Sequence, residues 1–343
     1  MNPYLFCICV SAIFSFVMSK VAINVSHQFK FYDVPKNRNM HTTPIPMLGG
    51  VALFASIAMT LVFVMEWSWS PWLAGMVGAM FICLIGLYDD KYAMNPWLKM
   101  GLQSIVISWL FFNNIRISFI TWPGDLSPLF FGPLTSFIVT QVWMITIINM
   151  FNIIDGIDGL AVGVSCLTSV VLLLVSITVS PPIVSYMLCS IIGATAMFLK
   201  FNFYPAKIFL GDSGALLLGY FFALASVFGV LKSTVSVIVL VFIFAVPLMD
   251  VVLSVIRRLL KRRNIFYPDL EHIHHQLVGR GISVPTSAII LYAITVIFGA
   301  VAIIASNQSR VLDILIGVVL FFGLLVFFSV LQLSKKQAEN IKK

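Results

Sequence analysis

The sequence predicts an all-α, polytopic integral membrane protein with about eleven transmembrane helices and its chemistry on cytoplasmic loops. Three observations predict it. Hydrophobic residues make up 60% of the 343 and charged residues only 10%, at a mean hydropathy of +1.03. A soluble domain carries roughly a quarter charged residues, so this chain has too few to cover a water-facing surface. Apolar runs of spanning length recur along the chain, and the basic residues between them fall almost wholly on one side.

In order, the spans are 3–25, 46–66, 71–88, 98–113, 132–151, 159–180, 183–200, 213–231, 234–258, 285–305 and 311–333. The first lacks a basic start and ends among Lys20, His27 and Lys30, which suits a retained span rather than a cleaved signal. No soluble repeat or domain-sized stretch lies between spans. The chain is one transmembrane domain, 1–334, with a short cytoplasmic tail, 335–343. Cys7, Cys9, Cys83, Cys166 and Cys189 all fall inside apolar runs without metal spacing, as expected of reduced, packed thiols.

Alternating the loops puts 18 Lys and Arg on one side and only Arg116, Lys232 and Arg310 on the other. The positive-inside rule makes the first side cytoplasmic, with the amino terminus outside and the tail inside. The net charge of +8 is then mostly topology, with some attraction to anionic lipid or nucleotide phosphates; nucleic acid is not needed to explain it. All five histidines and most acids fall on the same cytoplasmic side.

The cytoplasmic stretches carry six constellations. The first inner loop, Asp33-Val-Pro through Lys36, Arg38 and His41 to Gly49-Gly50, offers phosphate contacts or is a topogenic basic loop. The third span ends in Asp89-Asp90-Lys91, a carboxylate pair able to hold a cation or to sit solvated at a helix end. Lys99 follows where the next span starts, as a phosphate partner or a snorkelling anchor. The run Asn149-Met-Phe-Asn152-Ile-Ile-Asp155-Gly-Ile-Asp158-Gly-Leu160 places an amide or carboxylate at every third position. Such oxygens suit Mg²⁺ or Mn²⁺. Asp212, between Gly211 and Ser213-Gly214, can cap the next helix or reach a cation. Asp250 lies inside the ninth span, with Arg257 seven residues on along the same face, which favours a structural ion pair. Beyond Arg257-Arg258 come Asp269, Glu271 and His272-Ile-His274-His275. Without nearby cysteines, these imidazoles suit a diphosphate better than zinc. No P-loop, Rossmann fingerprint, nucleophile elbow or HExxH helix is present.

These stretches, all in order and all on one side, resemble the polyprenyl-phosphate N-acetylhexosamine-1-phosphate transferases (glycosyltransferase family 4, the MraY/WecA superfamily). Ile273 interrupts the histidine run, which is continuous in the peptidoglycan branch. The resemblance is therefore to the branch acting with GlcNAc-1-phosphate and undecaprenyl phosphate. It implies a UDP-N-acetylhexosamine donor, loss of UMP, and a lipid-diphosphate sugar that starts a surface polysaccharide of O-antigen, common-antigen or teichoic-acid type. It also implies a bacterial cytoplasmic (inner) membrane location, Mg²⁺ with Mn²⁺ as substitute, contact with membrane lipid, and relatives that include homodimers.

The residues carried over follow the motifs. Asp212 and Asn152 are the metal-ligand candidates. Asp89 receives the lipid phosphate and removes its proton, and Asp90 orients substrate or tunes Asp89. Asp155 and Asp158 hold the nucleotide or the metal's water shell. Asn149, Lys99, His41, Arg257, Arg258, His272, His274 and His275 contact substrate. Direct attack is expected, because a phosphate monoester, with second pKa about 6, is already a nucleophile at neutral pH. GalNAc, QuiNAc and FucNAc donors remain open, and rival readings are a transporter or a non-catalytic scaffold.

Overall fold

The computed structural model describes residues 2–33, 43–64, 71–122, 125–177, 180–228, 237–260, 272–307, 315 and 318–324. The helices are α1 (Pro3–Phe29), α2 (Gly49–Val64), α3 (Pro71–Tyr92), α4 (Pro96–Phe112), α5 (Pro133–Ile154), α6 (Leu160–Ser176), α7 (Pro182–Asn202), α8 (Gly211–Phe228), α9 (Val237–Ile243), α10 (Ala245–Leu260), α11 (Ile273–Val278) and α12 (Val284–Asn307). Two small antiparallel pairs complete them: β1 (Tyr32–Asp33) with β2 (Ile45–Pro46), and β3 (Phe119–Trp122) with β4 (Asp125–Phe130). Many helices begin on sequence punctuation, with Pro in the first turn of α1, α4, α5 and α7, where its missing N–H costs nothing.

The all-α, multi-pass reading holds, while the described residues do not establish eleven spans. Among the described residues six helices are long and apolar enough to cross a membrane: α1, α3, α5, α7, α8 and α12. The expected ninth span is a broken pair, α9 and α10, inclined by 86°. Pro247 sits in the first turn of α10, and its ring would clash with the carbonyl four residues back, at Ile243, where α9 ends. Counting that pair gives seven. The apolar helices α2 and α6 have 16 and 17 residues, at the short limit for spanning. Most of the expected last span, 311–333, lies outside the described residues.

The centre of the bundle is α8, buried at every residue from Ser213 to Val227. A helix apolar all round belongs inside other helices, and α8 is enclosed by α2, α3 and α5. Tyr220 donates to the Gly75 carbonyl of α3 at 2.7 Å, and Trp143 of α5 to Ser226 at 2.9 Å. Peripherally, α1 is joined to α7 by a regular row: Ser11 donates to the Ser190 carbonyl (2.5 Å) and Ser15 to that of Ala194 (2.8 Å). Small residues allow this close approach between membrane helices. The five cysteines are free, and Cys9, which is exposed, is the exception to the expected packing.

Candidate active site

Five helix ends meet at one end of the bundle. The close approach of α3 to α8 depends on Gly86, where a side chain would run into the Ser213 backbone. This brings Asp90 under the first turn of α8. Its carboxylate accepts the N–H of Asp212 (2.6 Å) and of Ser213 (3.2 Å), groups that no intrahelical acceptor can satisfy. Both oxygens of Asp90 are thus taken up in holding the backbone of Asp212 and Ser213. On its other side, the 46–50 segment grips the same loop: the Gly49 and Gly50 N–H groups donate to the carbonyls of Phe209 and Leu210 at 3.1 and 3.0 Å. Neither glycine leaves room for a side chain.

Asp89 turns the other way. Its Oδ1 accepts the Met94 N–H at 2.6 Å, and its Oδ2 the Lys99 ammonium at 2.6 Å. Lys99, in the first turn of α4, also donates to Asp212 Oδ2 (2.9 Å) and Asn152 Oδ1 (3.1 Å). The Asn152 amide donates to Asp212 Oδ1 at 2.8 Å. Three oxygens from α3, α5 and α8 therefore converge on one positive centre. Lys91 lies elsewhere, 5.2 Å from the Tyr92 ring. Among the described residues no three His, Cys, Asp or Glu side chains form a metal-ligand group; the cage mixes two carboxylates with an amide. That donor set fits a hard divalent cation, since Mg²⁺ sites commonly use one or two carboxylates and leave the rest to water and substrate phosphate.

One turn below, Asn149 exchanges amide hydrogen bonds with Gln103 of α4, at 2.8 and 3.5 Å. Its Nδ2 also donates to the Ile145 carbonyl, so the side chain serves the α4–α5 seam. Gln103, fully buried, had no motif to mark it, although its spacing from Lys99 matches that of Asn149 from Asn152 closely enough to put both pairs on facing stripes.

Beyond α5 the chain turns through Asp155–Gly159. Gly159 has φ +78°, which favours glycine. Asn202 accepts the Gly159 N–H (3.2 Å) and donates to the Ile208 carbonyl (2.9 Å). Tyr292 donates to the Gly159 carbonyl at 2.6 Å. Asp158 accepts the Ala206 N–H at 2.9 Å. Neither Asn202 nor Tyr292 stands in a pattern that marks it in the sequence. Asp155 accepts no hydrogen bond from a described residue. Its enclosure, and then the charges of Asp212, Asp90 and Asp158, hold its carboxyl well above the usual carboxylate range. A cavity of about 510 Å³ opens here, lined by Asp33, Thr43, Asp155, Asp158, Tyr204, Asp212 and His275 among others, a volume in the range of small-molecule sites.

The histidine run closes one wall. Asp250 of α10 accepts the Ile273 N–H at 2.8 Å, at the start of α11, and lies 3.1 Å from His272 Nδ1. The expected Asp250–Arg257 pair is replaced by this contact; Arg257 instead donates to Ser254, one turn away on the same helix, at 3.0 Å. His272 stacks on His274, with ring centres 5.7 Å apart, and His274 meets His275 at 4.3 Å. His274 is buried against Gly156, which has no room for a side chain there. Burial pushes its imidazole down to about 3, so it is neutral at any physiological pH. Of the three histidines, His275 lines the cavity; Arg257 and Arg258 are not among the lining residues. His41 lies outside the described residues, as do Asp269 and Glu271.

A Bacillus subtilis protein named as a probable undecaprenyl-phosphate N-acetylglucosaminyl 1-phosphate transferase is 30% identical over 324 residues, covering 94% of this chain and 89% of its own. The chain belongs to glycosyl transferase family 4. The family's sequence model matches residues 72–230, from α3 to just past α8, so it takes in the cage and the Asp155–Asp158 turn. A Mycobacterium tuberculosis decaprenyl-phosphate N-acetylglucosaminephosphotransferase is 29% identical, covering 87% of this chain and 82% of its own. An Escherichia coli O157:H7 undecaprenyl-phosphate alpha-N-acetylglucosaminyl 1-phosphate transferase is 26% identical, covering 97% and 91%. In this family 4 transferase, Asp250 and the α11 histidines lie outside the matched segment, so the cavity joins a family core to a wall contributed by the later helices.

Proposed function

We propose that this chain transfers N-acetylglucosamine-1-phosphate from UDP-N-acetylglucosamine to undecaprenyl phosphate, releasing UMP, at the cytoplasmic face of a bacterial inner membrane. The observation that carries the reading is the cage of Asp89, Asn152, Lys99 and Asp212 beside the 510 Å³ cavity, in a chain collinear with relatives named for this reaction. The product would be the lipid-linked sugar that starts a surface polysaccharide.

In the reaction an oxygen of the lipid phosphate attacks the sugar-bearing phosphorus of the donor. The bond from that phosphorus to the bridging oxygen breaks, and the electron pair leaves with UMP. Phosphoryl transfer of this kind depends on positioning and charge neutralisation. Asp212 and Asn152 would hold Mg²⁺, which when bound supplies Lewis acidity to the diphosphate. Asp89 lies within reach of Lys99 and receives the lipid phosphate, accepting its proton when the monoanion binds. Lys99 offsets charge on the phosphates. Asp90 fixes Asp212 through the α8 backbone. Asp155, with no described donor, faces the nucleotide side, and Asp158 fixes the loop around it through Ala206. His275 reaches the diphosphate from the cavity wall; His272 and His274 set its position.

The acids sit at helix ends on one side rather than at a midplane between repeats, which argues against a transporter. The test is UMP release by membranes containing the protein, supplied with undecaprenyl phosphate, Mg²⁺ and a panel of UDP-sugars, with the lipid product identified by mass spectrometry. Asp212→Ala should lower turnover by at least about 1,000-fold, comparable to losing a principal electrostatic group. Retained activity would remove Asp212 from the metal site, and UDP-GalNAc outrunning UDP-GlcNAc would reassign the donor.

A further inference from the structure

The Lys99 ammonium takes the oxygens of Asp212 and Asn152 that the proposed function needs for a divalent cation, and with them one of Asp89. Among the described residues it is the one ammonium or guanidinium in hydrogen-bond reach of Asp89 or Asp212. Around it stand Asp90, tied to the α8 backbone, and Asp155, with no described donor. Four carboxylates thus gather about one cation, and repulsion among them would splay the ends of α3, α5 and α8 if that charge were withdrawn without replacement. We propose that Lys99 and the divalent cation alternate in this cage. Lys99 holds the three helix ends together between turnovers, and entry of the cation turns its ammonium out towards the phosphates of the substrates.

Two features make the exchange feasible. Lys99 stands on the first turn of α4, after the Asn95 cap and Pro96, and its four-carbon stem lets the head group move while the helix stays fixed. Asp212 and Asn152 are held independently of Lys99, by Asp90 through the backbone and by their mutual 2.8 Å hydrogen bond. These two ligands therefore keep their relative placement while the ammonium is exchanged for the cation. The same alternation places a positive charge beside the phosphates only when the metal is bound, and so ties the lysine's role to loading of the site.

The inference rests on the proposed metal site, and the experiment separates the two. Mn²⁺ binding to the full-length enzyme in detergent is followed by the electron paramagnetic resonance signal of free Mn²⁺. Lys99→Met, which removes the competing charge, should bind Mn²⁺ at least about tenfold more tightly than wild type, while Asp212→Asn should bind it more weakly. In the wild type, acylation of Lys99 by an amine-reactive reagent, read by mass spectrometry, should be several-fold faster in Mn²⁺ than in chelator. This second measurement decides the matter if Lys99→Met does not fold. Unchanged or weaker Mn²⁺ binding by Lys99→Met, or acylation indifferent to Mn²⁺, overturns the alternation while leaving the metal site in place. Mn²⁺ binding indifferent to Asp212→Asn overturns the metal site itself and the alternation with it.

Discussion

Asp155 is the carboxylate to which the fold gives least help. Its neighbours in the turn are engaged, Asp158 with Ala206 and Gly159 with Asn202, whereas Asp155 accepts nothing from a described residue and faces the fields of Asp212, Asp90 and Asp158. Its carboxyl is raised in the folded state, so the folded protein favours the protonated form. Stability is then fullest below the ordinary carboxylate range and declines as pH rises above it. Asp155→Asn keeps the shape and removes the charge. It should raise the melting temperature at pH 7.5 by about 2 °C or more, with the gain vanishing near pH 4, while transferase activity falls. Thermal unfolding of the two proteins across that pH range checks it; an equal gain at pH 4 would mean the effect is not electrostatic. Asp155 was legible in the sequence because a charge beside a bilayer needs a reason, and so were Asp89, Asn152 and Asp212. The exchange of amide hydrogen bonds between Asn149 and Gln103 was not, because it depends on which helix packs against α5, and spacing within one helix cannot say that.

The N-terminus of α8 concentrates the largest consequence of a single element. It delivers Asp212, and two of its first-turn N–H groups, those of Asp212 and Ser213, are held by Asp90 of α3. Asp90 therefore acts as a cap supplied from another helix, a role the adjacent Asp89-Asp90 pair concealed: the two carboxylates leave the last turn of α3 in different directions. Asp90→Ala removes that cap and leaves two buried donors without a partner. The cost should be about 1–3 kcal/mol, read as a lower midpoint of unfolding. Displacement of Asp212 should lower turnover by about 100-fold. Asp90→Asn, which still accepts one hydrogen bond, should fall between the two. An Asp90→Ala enzyme that is less stable yet fully active would show that Asp212 needs no such support. The broken α9–α10 pair illustrates the other limit of sequence reading. Hydropathy sums across residues 234–258 as one span and does not register the bend at Pro247, whereas the length of α8 and its burial on all sides follow from a run with no polar face.

At the scale of the whole molecule, the C-termini of α3 and α5, the N-termini of α4 and α8, and α11 all bring their polar groups to one end. The β3–β4 hairpin follows the opposite end of α4. The charge count of the sequence leads to the expectation that the first end is cytoplasmic, because basic loops resist translocation and the alternation of expected spans puts 18 of the 21 Lys and Arg on the side of most acids. The proposed reaction calls for that side, because its water-soluble nucleotide donor has to meet the lipid phosphate at the membrane surface. In a cysteine-free background, Tyr204, half-exposed at the cavity, and Leu129, exposed on β4, offer one reporter for each end. In intact spheroplasts a membrane-impermeant maleimide should label Leu129→Cys and leave Tyr204→Cys unmodified until the membrane is permeabilised. Labelling of Tyr204→Cys in sealed spheroplasts would invert the orientation. It would also separate the cage from its nucleotide, and the reaction would then require a donor on the outer side.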